Sequence, residues 1–213
     1  MTVLLVGSDA PEVGVLADGL AADVLPLPPE PSLPGPTWPW AEELEAWRTA
    51  AMAGPAVDAV VVAAWVTAPS GPVPLADVGL DEWVARGEAP LARWFAALGV
   101  AARRAADGGS VVAVVERPAP LDCADRAAET GVADAVLAMA RSLARSEGGR
   151  GVRVNVVTTG ARLVPATVVD PAPPLATFPG TVGTEVVGAV RMLLGPDAAG
   201  VTGTVVHADC GRS

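Results

Sequence analysis

The sequence has no tyrosine and no lysine, and its 213 residues include one histidine (His207), two phenylalanines and two cysteines. Without tyrosine there is no phenol to exchange a proton with a substrate oxygen, and without lysine there is no amine for a Schiff base. One histidine cannot form a histidine metal cluster. Cys123 and Cys210 lie far apart without metal-type spacing, which points to unpaired thiols in a reducing compartment. No metal site is expected.

Positive charge is scarce as well. No basic residue precedes Arg48, whereas Asp9, Glu12, Asp18, Asp23, Glu30, Glu42, Glu43 and Glu45 do, and the formal net charge is −10. Nucleic acids and anionic membranes both require clustered positive charge, so neither is expected as a partner. Every apolar run is interrupted by charge, proline or glycine before it could span a bilayer. The opening MTVLLVGSDAPE has neither a basic flank nor a cleavage site, so a cytoplasmic protein is expected. What is abundant is apolar: 51% of residues are hydrophobic, enough for a single domain over 1–213 with one large core.

The stretch from Ala127 to Gly160 organises the rest. Between Gly131 and Ala140 only Asp134 is polar, a pattern that predicts a helix covered on every face. Gly148 and Gly149 end it, and Val152, Val154, Val156 and Val157 predict a doubly covered parallel strand. Thr2–Val6, Ala22–Leu25, Val57–Ala64 and the run 108–116 read as further strands, with Val201–Ala208 closing the sheet. Helices are expected over Ala10–Ala21, Ala41–Ala53, Asp81–Asp107 and Thr184–Leu194, with Pro90 kinking or breaking the third. Seven prolines between Pro26 and Pro39 exclude helix and central strand there, and a second proline-rich loop runs from Arg162 to Gly183.

The passage ARSLARSEGGRGVRVNVV, with GGSVVAVVE upstream and GVTGTVVHADCG at the end, resembles the short-chain dehydrogenase/reductase family, specifically its 3-oxoacyl-reductase-like members. The resemblance implies an α/β, Rossmann-like doubly wound parallel sheet flanked by helices. The proline-rich run replaces one βα crossover of the adenosine half. The resemblance also implies a catalytic tyrosine, a lysine four residues later, a serine and an asparagine, but this chain places Glu129, Ala133, Glu116 and Pro90 at those positions. No catalytic residue of the usual kind is therefore expected.

The resemblance further implies a glycine-rich phosphate turn after the first strand. Here Gly7 keeps its place, Pro11 and Val13 replace the other glycines, and Asp9 and Glu12 add negative charge. Trp65 stands where an open turn would border the cofactor. These residues lead to the expectation that the chain takes no cofactor, neither NAD nor NADP. In the family the two all-apolar helices form a four-helix seam between subunits. This places Leu91, Trp94, Phe95, Leu98, Ala135, Ala138, Met139 and Ser142 at an interface with a related active subunit, as a hetero-dimer or hetero-tetramer, a homodimer being the other arrangement. The function expected is a catalytically inactive subunit that stabilises or shapes an active oxidoreductase partner. The alternatives are a cofactor-independent enzyme using Glu116 and Glu129 as acid and base, and an unconventional NAD(P)-dependent oxidoreductase.

Overall fold

The computed structural model describes residues 1–30, 39–163 and 180–212. The valine-rich runs become parallel strands because both faces of the sheet are covered, which favours β-branched side chains at successive positions. The strands β1 (Val3–Gly7), β2 (Asp23–Pro26), β3 (Val57–Ala63), β4 (Ala105–Glu116), β5 (Arg153–Thr159) and β6 (Val205–His207) form one sheet in the order β2-β1-β3-β4-β5-β6. Helices α1 (Pro11–Leu20) and α6 (Val187–Leu194) pack together on one side. On the other, α2 (Pro39–Met52), α4 (Ala89–Arg104) and α5 (Ala127–Ser146) stand in a row.

This is the Rossmann-like α/β sheet that the sequence pattern predicts. Its edge among the described residues is β2, beyond which a further adenosine-side strand would lie. Residues 31–38 of the first proline-rich run and 164–179 of the second lie outside the described residues. No helix among the described residues is long and apolar enough to cross a membrane.

The structure refines the sequence pattern at three places. The segment around Pro90 divides into a short entry turn and a main helix: α3 (Leu80–Trp83) passes through a π-helical turn at Val84–Glu88 into α4, and the Ala89 N–H reaches back to the Val84 carbonyl. The wider turn relieves the conflict a proline ring makes with the carbonyl four residues earlier. Second, this chain by itself does not cover α5 all round. Ala133, Val136, Leu137, Ala140 and Ala144 face the core, while Gly131, Asp134, Ala138, Arg141, Ser142 and Arg145 are exposed.

Third, β6 spans only Val205–His207, and the residues before it are held to β5 by side chains as well as by the backbone bonds Gly203 N–H to the Val154 carbonyl and Val156 N–H to the Thr204 carbonyl. Asn155, fully buried, donates from Nδ2 to the Val201 carbonyl at 2.8 Å and accepts at Oδ1 from the Thr204 N–H at 3.1 Å. Thr202 Oγ1 accepts from the Val154 N–H at 3.1 Å. Replacing Asn155 with leucine keeps the volume roughly but strands two backbone groups. We expect a loss of about 2–4 kcal/mol in urea denaturation, and a change below about 0.5 kcal/mol would show that this tie contributes little.

Candidate functional site

The strand order reverses at β1, which connects through α1 to β2 on one side while β3 pairs with it on the other. In sheets of this kind the carboxyl ends of the strands diverge at such a point and leave a crevice. An open cleft there, about 320 Å³, is lined by Ser8, Asp9, Ala10, Pro11, Val13, Gly14 and Val24. Gly7 begins the turn, and a Cβ on it would sit 2.6 Å from Val13 Cγ1, so only glycine lets the strand pass this close to α1. Ser8 is 5% exposed, and its Oγ is buried without a hydrogen-bond partner among the described residues.

Beside this cleft is a cavity of about 210 Å³ at the carboxyl ends of β3 and β4. It is lined by the Ala64–Trp65–Val66 segment, by Arg86, Pro90 and Trp94 of the π-turn and α4, by Glu116 at the end of β4, by Glu129 and Val132 of α5, and by Glu30 and Leu163. Trp65 is 1% exposed and donates its Nε1–H to the Val114 carbonyl at 2.8 Å.

One guanidinium joins the two hollows. Arg162, with a side chain 2% exposed, donates Nε–H to Glu12 at 3.0 Å and Nη1–H to Glu116 at 2.7 Å. Its Nη2 bonds the Val66 and Thr67 carbonyls, and its plane lies 5.1 Å from the Trp65 ring centroid. Burial pushes the Glu116 carboxyl up to about 7, against the opposing pull of Arg162, with Glu12 and Glu129 adding to the rise. On the far wall Glu129 accepts from Arg86 at 2.6 Å and 3.2 Å, while Arg86 also holds Glu82 and the Gly71 carbonyl. The second oxygen of Glu129 is buried without a partner among the described residues.

Of the positions singled out from sequence, Trp65, Pro90, Glu116 and Glu129 meet in the cavity, and Pro11 and Val13 line the cleft. Ala133 is fully buried and lines neither. Trp94 and Leu98, expected at a subunit seam, lie in the chain's own core, and Leu91 is half-buried. Phe95 is 57% exposed under the Arg48 guanidinium, Ala138 and Ser142 are exposed, and Ala135 and Met139 are half-buried. Sequence reasoning missed Ser8, Arg86 and Arg162. Only Arg162 left a signal, as a cation just past Gly160 at the end of β5. Among the described residues no group of three or more His, Cys, Asp or Glu side chains is placed to hold a metal ion.

A family model described as enoyl-(acyl carrier protein) reductase matches residues 42–213. Solved structures of the same fold include a blue fluorescent protein from a metagenomic library in complex with NADPH, 22% identical with a TM-score of 0.74, covering 100% of this chain and 98% of that one. A doubly substituted short-chain dehydrogenase/reductase from Serratia marcescens is 20% identical with a TM-score of 0.72, covering 100% and 98%. The acetoin dehydrogenase of Salmonella typhimurium is 18% identical with a TM-score of 0.69, covering 100% and 97%. No curated protein sequence matches.

The NADPH complex overturns the expectation that the chain takes neither NAD nor NADP. That expectation treated Asp9 and Glu12 as bare negative charge beside the phosphates; the structure pairs Glu12 with Arg162, while Asp9 lines the cleft with no ion pair among the described residues. It treated the lost glycines as a closed turn, whereas a cleft remains. A dinucleotide there would lie along the turn from Gly7 to Gly14 that lines the cleft, with the Ser8 hydroxyl buried behind it.

The Glu116 carboxyl has a testable consequence for stability. Raised from 4.5 to about 7 in the folded chain, it stabilises the fold fully below pH 4.5, and that contribution is lost as pH rises through 7. Thermal or urea melts should therefore show the parent chain losing on the order of 3 kcal/mol relative to Glu116→Gln between about pH 4.5 and 7. A constant difference across that window would place the carboxyl in its ordinary range.

Proposed function

The chain belongs to the short-chain dehydrogenase/reductase family, and on that premise we propose that it is a non-catalytic subunit that assembles with an active relative and stabilises or shapes it. What carries this reading is the pair of residues on α5 where the family resemblance implies tyrosine and lysine. Glu129 is a carboxylate tied to Arg86 at 2.6 Å, and Ala133 bears no charge. With its oxygen engaged by Arg86, the Glu129 carboxylate does not take the place of a phenol that reaches a substrate oxygen. No other residue restores the pair, because the sequence has neither tyrosine nor lysine.

NAD or NADP is the cofactor class to which the fold points, and the cleft beside Ser8 would hold it. When bound, such a dinucleotide supplies hydride transfer. This chain's own contribution is to bind and orient it, with Arg162 shielding it from Glu12.

A second reading rests on one observation: Glu116 and Glu129 line the same cavity, and Glu116 is pushed to about 7, where a general acid works well. Under that reading the chain acts on a small ligand by itself.

The outward side of α5 suits a subunit seam because Ala135, Ala138 and Ser142 let another helix approach closely, and Met139 fills irregular gaps. Ala138→Arg puts a charge into that seam at a cost of several kcal/mol if unpaired, yet as an exposed position of the isolated chain it leaves the fold intact. Sedimentation at micromolar concentration should show the parent chain associated and the arginine variant monomeric, with equal melting temperatures. Identical sedimentation of the two as monomers would remove the seam.

A further inference from the structure

The sequence holds 14 arginines and no lysine, and residues 31–38, 164–179 and 213 contain no basic side chain. Every arginine of the chain therefore has a described position. None lines the cleft at the start of α1, whose wall carries one charged residue, Asp9. Three arginines reach the segments around the cleft, and each is committed elsewhere. Arg162 is shared between Glu12 and Glu116. Arg191 holds the Gly19 carbonyl at the far end of α1. Arg93, 4% exposed, donates to the Pro28 carbonyl at 2.6 Å and lies in the field of Glu30. The amino terminus and His207, the other basic groups, are remote. The first lies 3.9 Å from Asp58 at the amino ends of the strands, and the second stands on β6 at the opposite edge of the sheet from β2.

Negative charge collects on the cleft side instead. Asp9 is exposed in the wall, and Asp23 is exposed on β2 next to Val24, which lines the cleft. In Rossmann-type sheets the first helix meets the pyrophosphate with its positive end. About 20 residues past the first glycine, an acidic side chain bonds a free ribose 2′-hydroxyl, or an arginine accommodates a 2′-phosphate. Counted from Gly7, that place falls around Leu27, whose N–H bonds the Gly7 carbonyl at 2.8 Å and so sits beside the turn. The run Leu25–Glu30 around it has no basic residue, and its one ionisable side chain is Glu30. A 2′-phosphate adds about 1.5 to 2 negative charges at neutral pH. The helix start is there for a pyrophosphate, but no free cation beside β2 is there for a third phosphate.

From this distribution of charge we propose that the cleft selects NAD(H) against NADP(H), because the end of β2 repels a 2′-phosphate. The inference rests on the reading that the cleft takes a dinucleotide, and narrows it to the dinucleotide without the third phosphate.

Calorimetric titration of NADH and NADPH into the purified chain at neutral pH, with tryptophan fluorescence as a second readout, tests this without any turnover. At low ionic strength NADH should saturate roughly tenfold or more tighter than NADPH. The gap should narrow as salt is raised to about 0.5 M, since repulsion between exposed charges is screened. Val24→Arg places a cation at a cleft-lining position that is 48% exposed, and should tighten NADPH selectively. Equal affinities, or tighter binding of NADPH, would overturn the proposal and leave the dinucleotide reading standing. Saturation by neither would overturn both. A gap that neither salt nor Val24→Arg narrows would trace the preference to shape, and the proposal would fall with its cause.

Discussion

The buried Arg162 guanidinium is the constraint on which the functional edge depends. It gathers the start of α1 through Glu12, the loop after β3 through the Val66 and Thr67 carbonyls, the end of β4 through Glu116 and the ring of Trp65. A cation with a 2% exposed side chain is tolerated because its donors meet two carboxylates and two carbonyls. The same contacts set the chemistry on either side. Glu12 no longer repels anions at the cleft, and Glu116 is held at the cavity wall in a desolvated position that raises its pKa.

How much of this was legible in the sequence follows from the range of the interactions. The strands were readable because Val57–Ala63 and Arg153–Thr159 are buried on both faces, a condition that composition alone registers. The π-turn before Pro90 was not, since proline announces a missing N–H but not whether the preceding turn will widen to accept it. The length of β6 was misjudged because the Asn155 side chain joins in holding Val201 and Thr204, contacts between residues 46 and 49 positions apart that leave no local signal.

At the candidate site the lesson is the same at longer range. Glu116 and Glu129 were found from local positions on a strand and a helix, and they do share a cavity. Arg162 pairs with Glu12 across 150 residues, and no local pattern reports a pairing of that kind. The absence of cofactor was inferred from Pro11, Val13 and uncompensated acid. That inference did not foresee that Arg162 would reach Glu12 across the fold, and Ser8, flanked by ordinary residues, gives no sign that its hydroxyl will be buried without a partner among the described residues.

On the proposed reading, fold and chemistry separate in this chain. The sheet, its crevice and the helices beside it persist, whereas the α5 positions that would move a proton hold an ion-paired carboxylate and an alanine. The most direct measurement of the central claim is the native mass of the assembly isolated through a tagged copy of this chain from its own host, with each component sequenced. The account predicts a complex with a second chain of the same family that carries tyrosine and lysine at the positions matching Glu129 and Ala133. Recovery of this chain alone, with NAD(P)H-dependent turnover of its own, would contradict it.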